Sequence, residues 1–243
     1  MLYLFFNEIP RALVFILPAL AVLAGFGLDR LMLDLQNRLR ANSAAVLLLP
    51  AVLGLLFFAY PLIIDLRYDY LMSRPDTRLV AQDWIKAHIP AGAKILADSE
   101  HLRLTNTKDG IGEIARLDPS GLRSQDRVLL RYPDADYPSP AFTVLNLHFI
   151  SPTLPERSIL PVDYFRERGY QYLVVEYKSV SQADLESHTR DLIQGLNLLK
   201  RFTPFAAAGF DRALDASGEI ASVHPLALFR FERFGQMVDI YEL

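Results

Sequence analysis

The chain has 243 residues, 51% of them hydrophobic and 22% charged, with a formal net charge of −3 and no cysteine. That balance offers no basic surface for nucleic acid. The lack of cysteine excludes disulfides, thiolate metal sites and cysteine nucleophiles.

The average conceals a division. Residues 1–72 hold five arginines, no lysine and five acids, while residues 73–243 hold the remaining 20 basic and 23 acidic residues. Two runs in the first part carry no charge: Ala12–Leu28 (ALVFILPALAVLAGFGL) and Ala44–Ile64 (AAVLLLPAVLGLLFFAYPLII). A hydrocarbon core about 30 Å thick needs about 20 apolar residues in a helix. Both runs are therefore expected as transmembrane helices, about 12–30 and 44–64, inside a membrane region of residues 1–72. Met1–Phe6 lacks the basic n-region of a signal peptide. Residues 31–40 read either as an amphipathic interfacial helix or as a plain connector. Phe57, Phe58, Tyr60, Tyr68 and Tyr70 crowd one end of the second run, as an aromatic belt would. Charge leaves the orientation open, because Arg30, Arg38 and Arg40 balance Arg11, Arg67, Arg74 and Arg78. Arg11 has two readings, an anchor paired with Glu8 or a contact to a lipid phosphate.

The second part reads as an α/β domain of residues 73–243. Asp76 or Thr77 caps a helix over 78–88, which Pro90-Ala91-Gly92 ends. Lys94–Ala97 is a strand. Residues 99–127 are polar with weak periodicity, Val128–Tyr132 has strand character, and Pro133–Pro140 is a loop. Ala141–Phe149 is β-prone. Pro161 opens a short helix over 162–168, which Gly169 closes. Tyr170–Tyr177 (YQYLVVEY) is apolar on both faces at its centre, so it is expected as a central strand. Ser181–Asp184 reads as a capping box for a helix carrying Leu185, Leu192, Ile193, Leu196 and Leu199 on one face. Strands are expected at Phe202–Ala208, Leu226–Phe231 and Met237–Leu243. The alternation of strands and helices implies one domain with a mixed sheet.

Motifs for chemistry are sparse. The histidines at 88, 101, 148, 188 and 224 form no HxH or HxxxH pair, so each is expected to be structural. There is no G-x-S-x-G elbow and no complete nucleotide fingerprint. Asp134-Ala-Asp136 has the spacing to hold a divalent metal against a diphosphate. Its flanking prolines favour a solvated turn, so no metal and no cofactor are expected.

The arginine-led, proline-containing run Arg11–Gly25 resembles the late spans of GT-C membrane glycosyltransferases, notably the bacterial relatives of protein O-mannosyltransferases and lipid A aminoarabinose transferases. Asp76–Ile95 (DTRLVAQDWIKAHIPAGAKI), Gly169–Val175 (GYQYLVV) and Gly235–Leu243 (GQMVDIYEL) resemble, in that order, segments of the extracytoplasmic tails of those proteins. The resemblance implies two late transmembrane helices followed by one extracytoplasmic α/β domain. It implies a multi-pass protein of the inner (plasma) membrane, with the lipid bilayer as partner and a polyprenyl-phosphate sugar as donor in the intact enzyme. Arg11 would lie near the lipid phosphate. No residue matches the family's catalytic acidic loop, so the chain is expected to be a C-terminal segment, inactive alone. The alternative is a small membrane-anchored accessory or binding protein.

Overall fold

The computed structural model describes residues 22–23, 25–27, 29–30, 33–34, 44–178, 182, 185–206 and 225–243. Two compact units divide the chain, residues 1–63 and residues 64–243. The helix α1 (Ala44–Met72) begins in the first and ends in the second.

Among the described residues, no helix is long and apolar enough to cross a membrane. This corrects the two expected transmembrane helices, the membrane part of the fold class and the multi-pass placement with an extracytoplasmic domain. The first apolar run lies mostly outside the described residues. The second is helical, but its helix does not stop where the apolarity stops. It runs on through Asp65, Arg67 and Asp69 to Met72. That end belongs to the second unit and packs within it. Arg67 donates from Nε to the Leu228 carbonyl at 3.3 Å and from NH2 to the Phe231 carbonyl at 2.5 Å. Leu71 packs in a buried cluster with Phe205, Leu228, Phe231 and Phe234.

The second unit is a five-stranded sheet with helices on its faces. Its elements are α2 (Thr77–His88), β1 (Lys94–Asp98), α3 (Lys108–Leu117), α4 (Ser124–Leu129), β2 (Thr143–Asn146), α5 (Pro155–Ser158), α6 (Val162–Glu167), β3 (Tyr172–Tyr177), α7 (Ser187–Ile193), β4 (Asn197–Phe202) and β5 (Met237–Glu242). The strand order is β2-β1-β3-β5-β4. β2, β1 and β3 run parallel, and β5 runs antiparallel to both β3 and β4.

Strand residues alternate between the two faces, and this alternation builds two cores. Leu96, Leu145, Leu173 and Val175 meet Ile114, Phe165 and Leu192 on one face. Ile95, Ala97, Val174, Val238 and Ile240 meet Ala81 and Ile85 of α2 on the other. β3 is central, and its buried residues supply both cores. Asp76 caps α2 by accepting from the Arg78 N–H at 2.8 Å.

Several local expectations are revised. Residues 99–127 hold α3 and the start of α4, and Val128 and Leu129 finish α4, with a turn over 130–132 in place of the expected strand. Gly110 and Gly112 dilute the helical signal of α3. The first is required: a Cβ there would lie 2.2 Å from Asn106 Oδ1. The helix expected to reach Leu199 stops at Ile193, and Gly195, at φ +76°, turns the chain into β4. Residues 225–230 form a 3-10 helix instead of a strand, and Phe231 bridges to Phe205. The capping-box residues Ser181 and Asp184 lie outside the described residues.

Candidate functional site

β1 is flanked by β2 on one side and β3 on the other, so the chain order reverses beside it. In open α/β sheets, ligands bind outside the carboxyl ends of the strands where the order reverses. At that position lies a cleft of about 160 Å³, lined by Asp98, Ser99, Glu100, His148, Glu176 and Glu186 among others. Asp98 ends β1, Asn146 ends β2, and Glu176 is the penultimate residue of β3. Side-chain alternation sends Asp98 and Glu176 to opposite faces of the sheet. The cleft therefore straddles its rim.

The Glu176 side chain is 1% exposed. Its Oε2 accepts from the Ser99 hydroxyl and from the His101 backbone N–H, the latter at 3.0 Å. Its Oε1 is buried and has no hydrogen-bond partner among the described residues. The nearest nitrogens of basic side chains are His101 Nδ1 at 3.4 Å and Arg78 Nη1 at 4.0 Å. Leaving a buried acceptor unsatisfied costs about 1–3 kcal/mol, so a donor that reached this oxygen would be favoured.

Asp98 has a different setting. It accepts from the Thr189 hydroxyl of α7. Burial pushes its carboxyl above the ordinary carboxylate range, against the pull of that bond, while Glu186 pushes it further and His148 and Arg157 oppose. Arg157 donates to Glu186 Oε1 at 2.6 Å and holds that carboxyl below its ordinary value. Asn146 fixes the rim. Its Nδ2 donates to the Ser99 carbonyl at 2.7 Å, and its Oδ1 accepts from the His148 N–H at 3.1 Å.

A carboxyl whose folded pKa is raised favours folding most while protonated. Its contribution is complete below the unfolded value and is lost as pH rises through the folded value. Asp98→Asn is therefore expected to unfold at a higher temperature than the parent at pH 7, and the gap is expected to close toward pH 4. Parallel melting curves across that range test it; a gap that stays constant or widens in acid would contradict the assignment.

Of the residues singled out in the sequence, Arg11 and His224 lie outside the described residues. Asp134 and Asp136 sit on an exposed 3-10 turn between α4 and β2, and neither lines the cleft. Lys108 Nζ lies 2.5 Å from Asp134 Oδ1 and holds that carboxyl below its ordinary value. His88 stacks on Trp84 with ring centroids 4.5 Å apart, and His188 bonds the Glu156 carbonyl. His101 and His148, expected to be structural, stand at the candidate site instead. Among the described residues, no three acidic or histidine side chains gather as a metal site. Spacing in the sequence could not assemble positions 98, 146, 148, 176 and 186, because strand pairing does so. The available signal was a polar residue at or next to the end of each parallel strand.

Comparison with known proteins finds no matching family model, no matching curated protein and no matching solved structure.

Proposed function

We propose that residues 64–243 form a non-catalytic binding domain that works as the accessory part of a sugar-transferring enzyme and receives a hydroxyl- or amine-bearing ligand at the carboxyl edge of β1 and β3. The observation that carries this reading is Glu176 Oε1, a buried acceptor at the cleft without a hydrogen-bond partner among the described residues. A sugar hydroxyl or amine supplies the donor it lacks, and a hydrogen bond to a charged group is worth about 1.5–3 kcal/mol.

The glycosyltransferase part of the reading rests on the three segments that resemble tail domains. Those segments meet in space. β1, β3 and β5 are adjacent strands, and the turn at Gly235 lies against Asp76 and Thr77. The segments cover α2, the first two residues of β1, most of β3 and all of β5, and of the cleft lining they include Gln236.

Titrating the isotopically labelled 243-residue protein with the methyl glycosides of glucose, galactose and mannose, and with glucosamine, tests the reading. Backbone amide shifts are expected at Ser99, His148 and Glu176 for at least one of these probes. Glu176→Gln is expected to weaken that binding about tenfold or more while its melting curve shows it folded. Absence of shifts with all four at about 10 mM, far above a useful affinity, would overturn the ligand assignment. Sugar transfer by the isolated chain would overturn the non-catalytic part.

A further inference from the structure

A second and larger cleft, about 470 Å³, opens at the other end of the same strands. Its volume falls within the range of small-molecule sites. Lys94, the first residue of β1, and Tyr170, two residues before β3, mark its position at the amino edge of the sheet. Leu145 and Phe165 give it an apolar floor; both are buried.

The polar lining is arranged in two sets. The two carboxylates are each held by a tyrosine: Tyr170 donates to Glu113 Oε1 at 3.3 Å and Tyr164 donates to Glu156 Oε1 at 3.2 Å. Tyr170 is 3% exposed and Glu156 8%, so this part of the lining is built into the fold. The three cations are not spent on those carboxylates. Lys94 Nζ donates to the Arg168 carbonyl at 3.0 Å, closing the end of α6. Arg116 Nε donates to the Gly112 carbonyl at 3.2 Å. The Arg168 guanidinium lies over the Tyr164 ring, 4.2 Å from its centroid. Among the described residues, none of the three forms an ion pair within 4.0 Å.

Three cations against two carboxylates leave the lining positive. Guanidinium groups match oxyanions with paired N–H donors, and the tyrosine-held carboxylates remain acceptors for hydroxyl groups. We infer that this cleft binds a small organic oxyanion, a phosphate or carboxylate whose body carries hydroxyl groups, with the anion at Lys94, Arg116 and Arg168 and the hydroxyls at Glu113 and Glu156. It is separate from the carboxyl-edge cleft and does not depend on the role proposed there.

Three probes with one body separate the contributions: glycerol, D-glycerate and glycerol 3-phosphate. At saturating concentration the two anions are expected to raise the melting temperature by about 3 °C or more, and glycerol is expected to leave it unchanged. Response to the phosphate alone or to the carboxylate alone identifies the anion. Arg116 and Arg168 are exposed, so Arg116→Gln and Arg168→Gln are expected to fold normally. Each is expected to weaken the response at least fivefold in apparent affinity. An equal rise with sodium chloride at matched ionic strength, an unchanged response in both variants, or no response to either anion would overturn the inference.

Discussion

Asp239→Ala is expected to cost about 3 kcal/mol of folding stability and to lower the melting temperature by roughly 6–12 °C. Asp239 lies in β5 between β3 and β4 and is 0% exposed. Arg201 of β4 donates from Nε to Oδ1 at 2.8 Å and from Nη2 to Oδ2 at 2.7 Å. Tyr177 of β3 and Tyr241 donate their hydroxyls to Oδ2 at 2.8 and 3.0 Å, and Gln182 Nε2 lies 3.3 Å away. One carboxylate thus ties three strands together. Burial, and then the charge of Asp239, push the Tyr177 phenol above its ordinary value, while the Arg201 guanidinium is held above its own by its bonds to Asp239. Breaking a buried pair costs about 3–5 kcal/mol. The lower end applies here because the Arg201 side chain is 38% exposed and regains water. A loss below about 1 kcal/mol in denaturant unfolding would mean that the strands hold without the network.

The second large effect is expected at the junction of α2 and β5. Gly235 has φ +116°, a conformation that L side chains rarely adopt, and a Cβ there would lie 2.1 Å from Thr77 Oγ1 and 2.5 Å from Asp76 Oδ1. Neither neighbour is free to move. Thr77 Oγ1 donates to the Gln236 carbonyl at 2.5 Å, and its N–H donates to the Phe234 carbonyl at 2.9 Å. Asp76 is held by Arg78 through Nε at 2.7 Å and NH2 at 2.5 Å. Gly235→Ala therefore combines backbone strain with overpacking, and each costs about 1–3 kcal/mol. A loss of about 3 kcal/mol is expected. Gly92→Ala is the control: φ is +81° but no atom lies within 4 Å of the added Cβ, so only the backbone cost remains, about 1 kcal/mol. Equal losses at the two sites would show that the contact with α2 carries no strain.

What could be read from the chain was what local chemistry decides. α2 has a cap at Asp76, a periodic apolar face and a stop at Pro90. β3 has an uninterrupted apolar centre, and Gly169 stands where the chain needs φ +80°. The misreadings share one cause, which is tertiary contact overriding local pattern. Leu196 and Leu199 continue a helical stripe, but Leu199 instead lies in β4, antiparallel to β5. Val128 and Leu129 look like a strand but close α4, whose cap residue Arg123 is paired with the buried Asp126. The carboxyl-edge cleft was illegible for a different reason. Its residues come from three strand ends and a helix, and only sheet order brings them together.

The outer edge of β2 carries a further consequence. Asn106 spends its amide on Val144 alone, accepting from the backbone N–H and donating to the carbonyl, both at 3.0 Å. Residues 105 and 107 exchange backbone bonds with Phe142 beside it. A side chain thus takes the place of a neighbouring strand at Val144. At the opposite margin, β4 has no further strand among the described residues and displays Lys200. The β2 margin is thus occupied at Phe142 and Val144 by a loop and a side chain, while along β4 Lys200 is exposed and Arg201 is turned to Asp239.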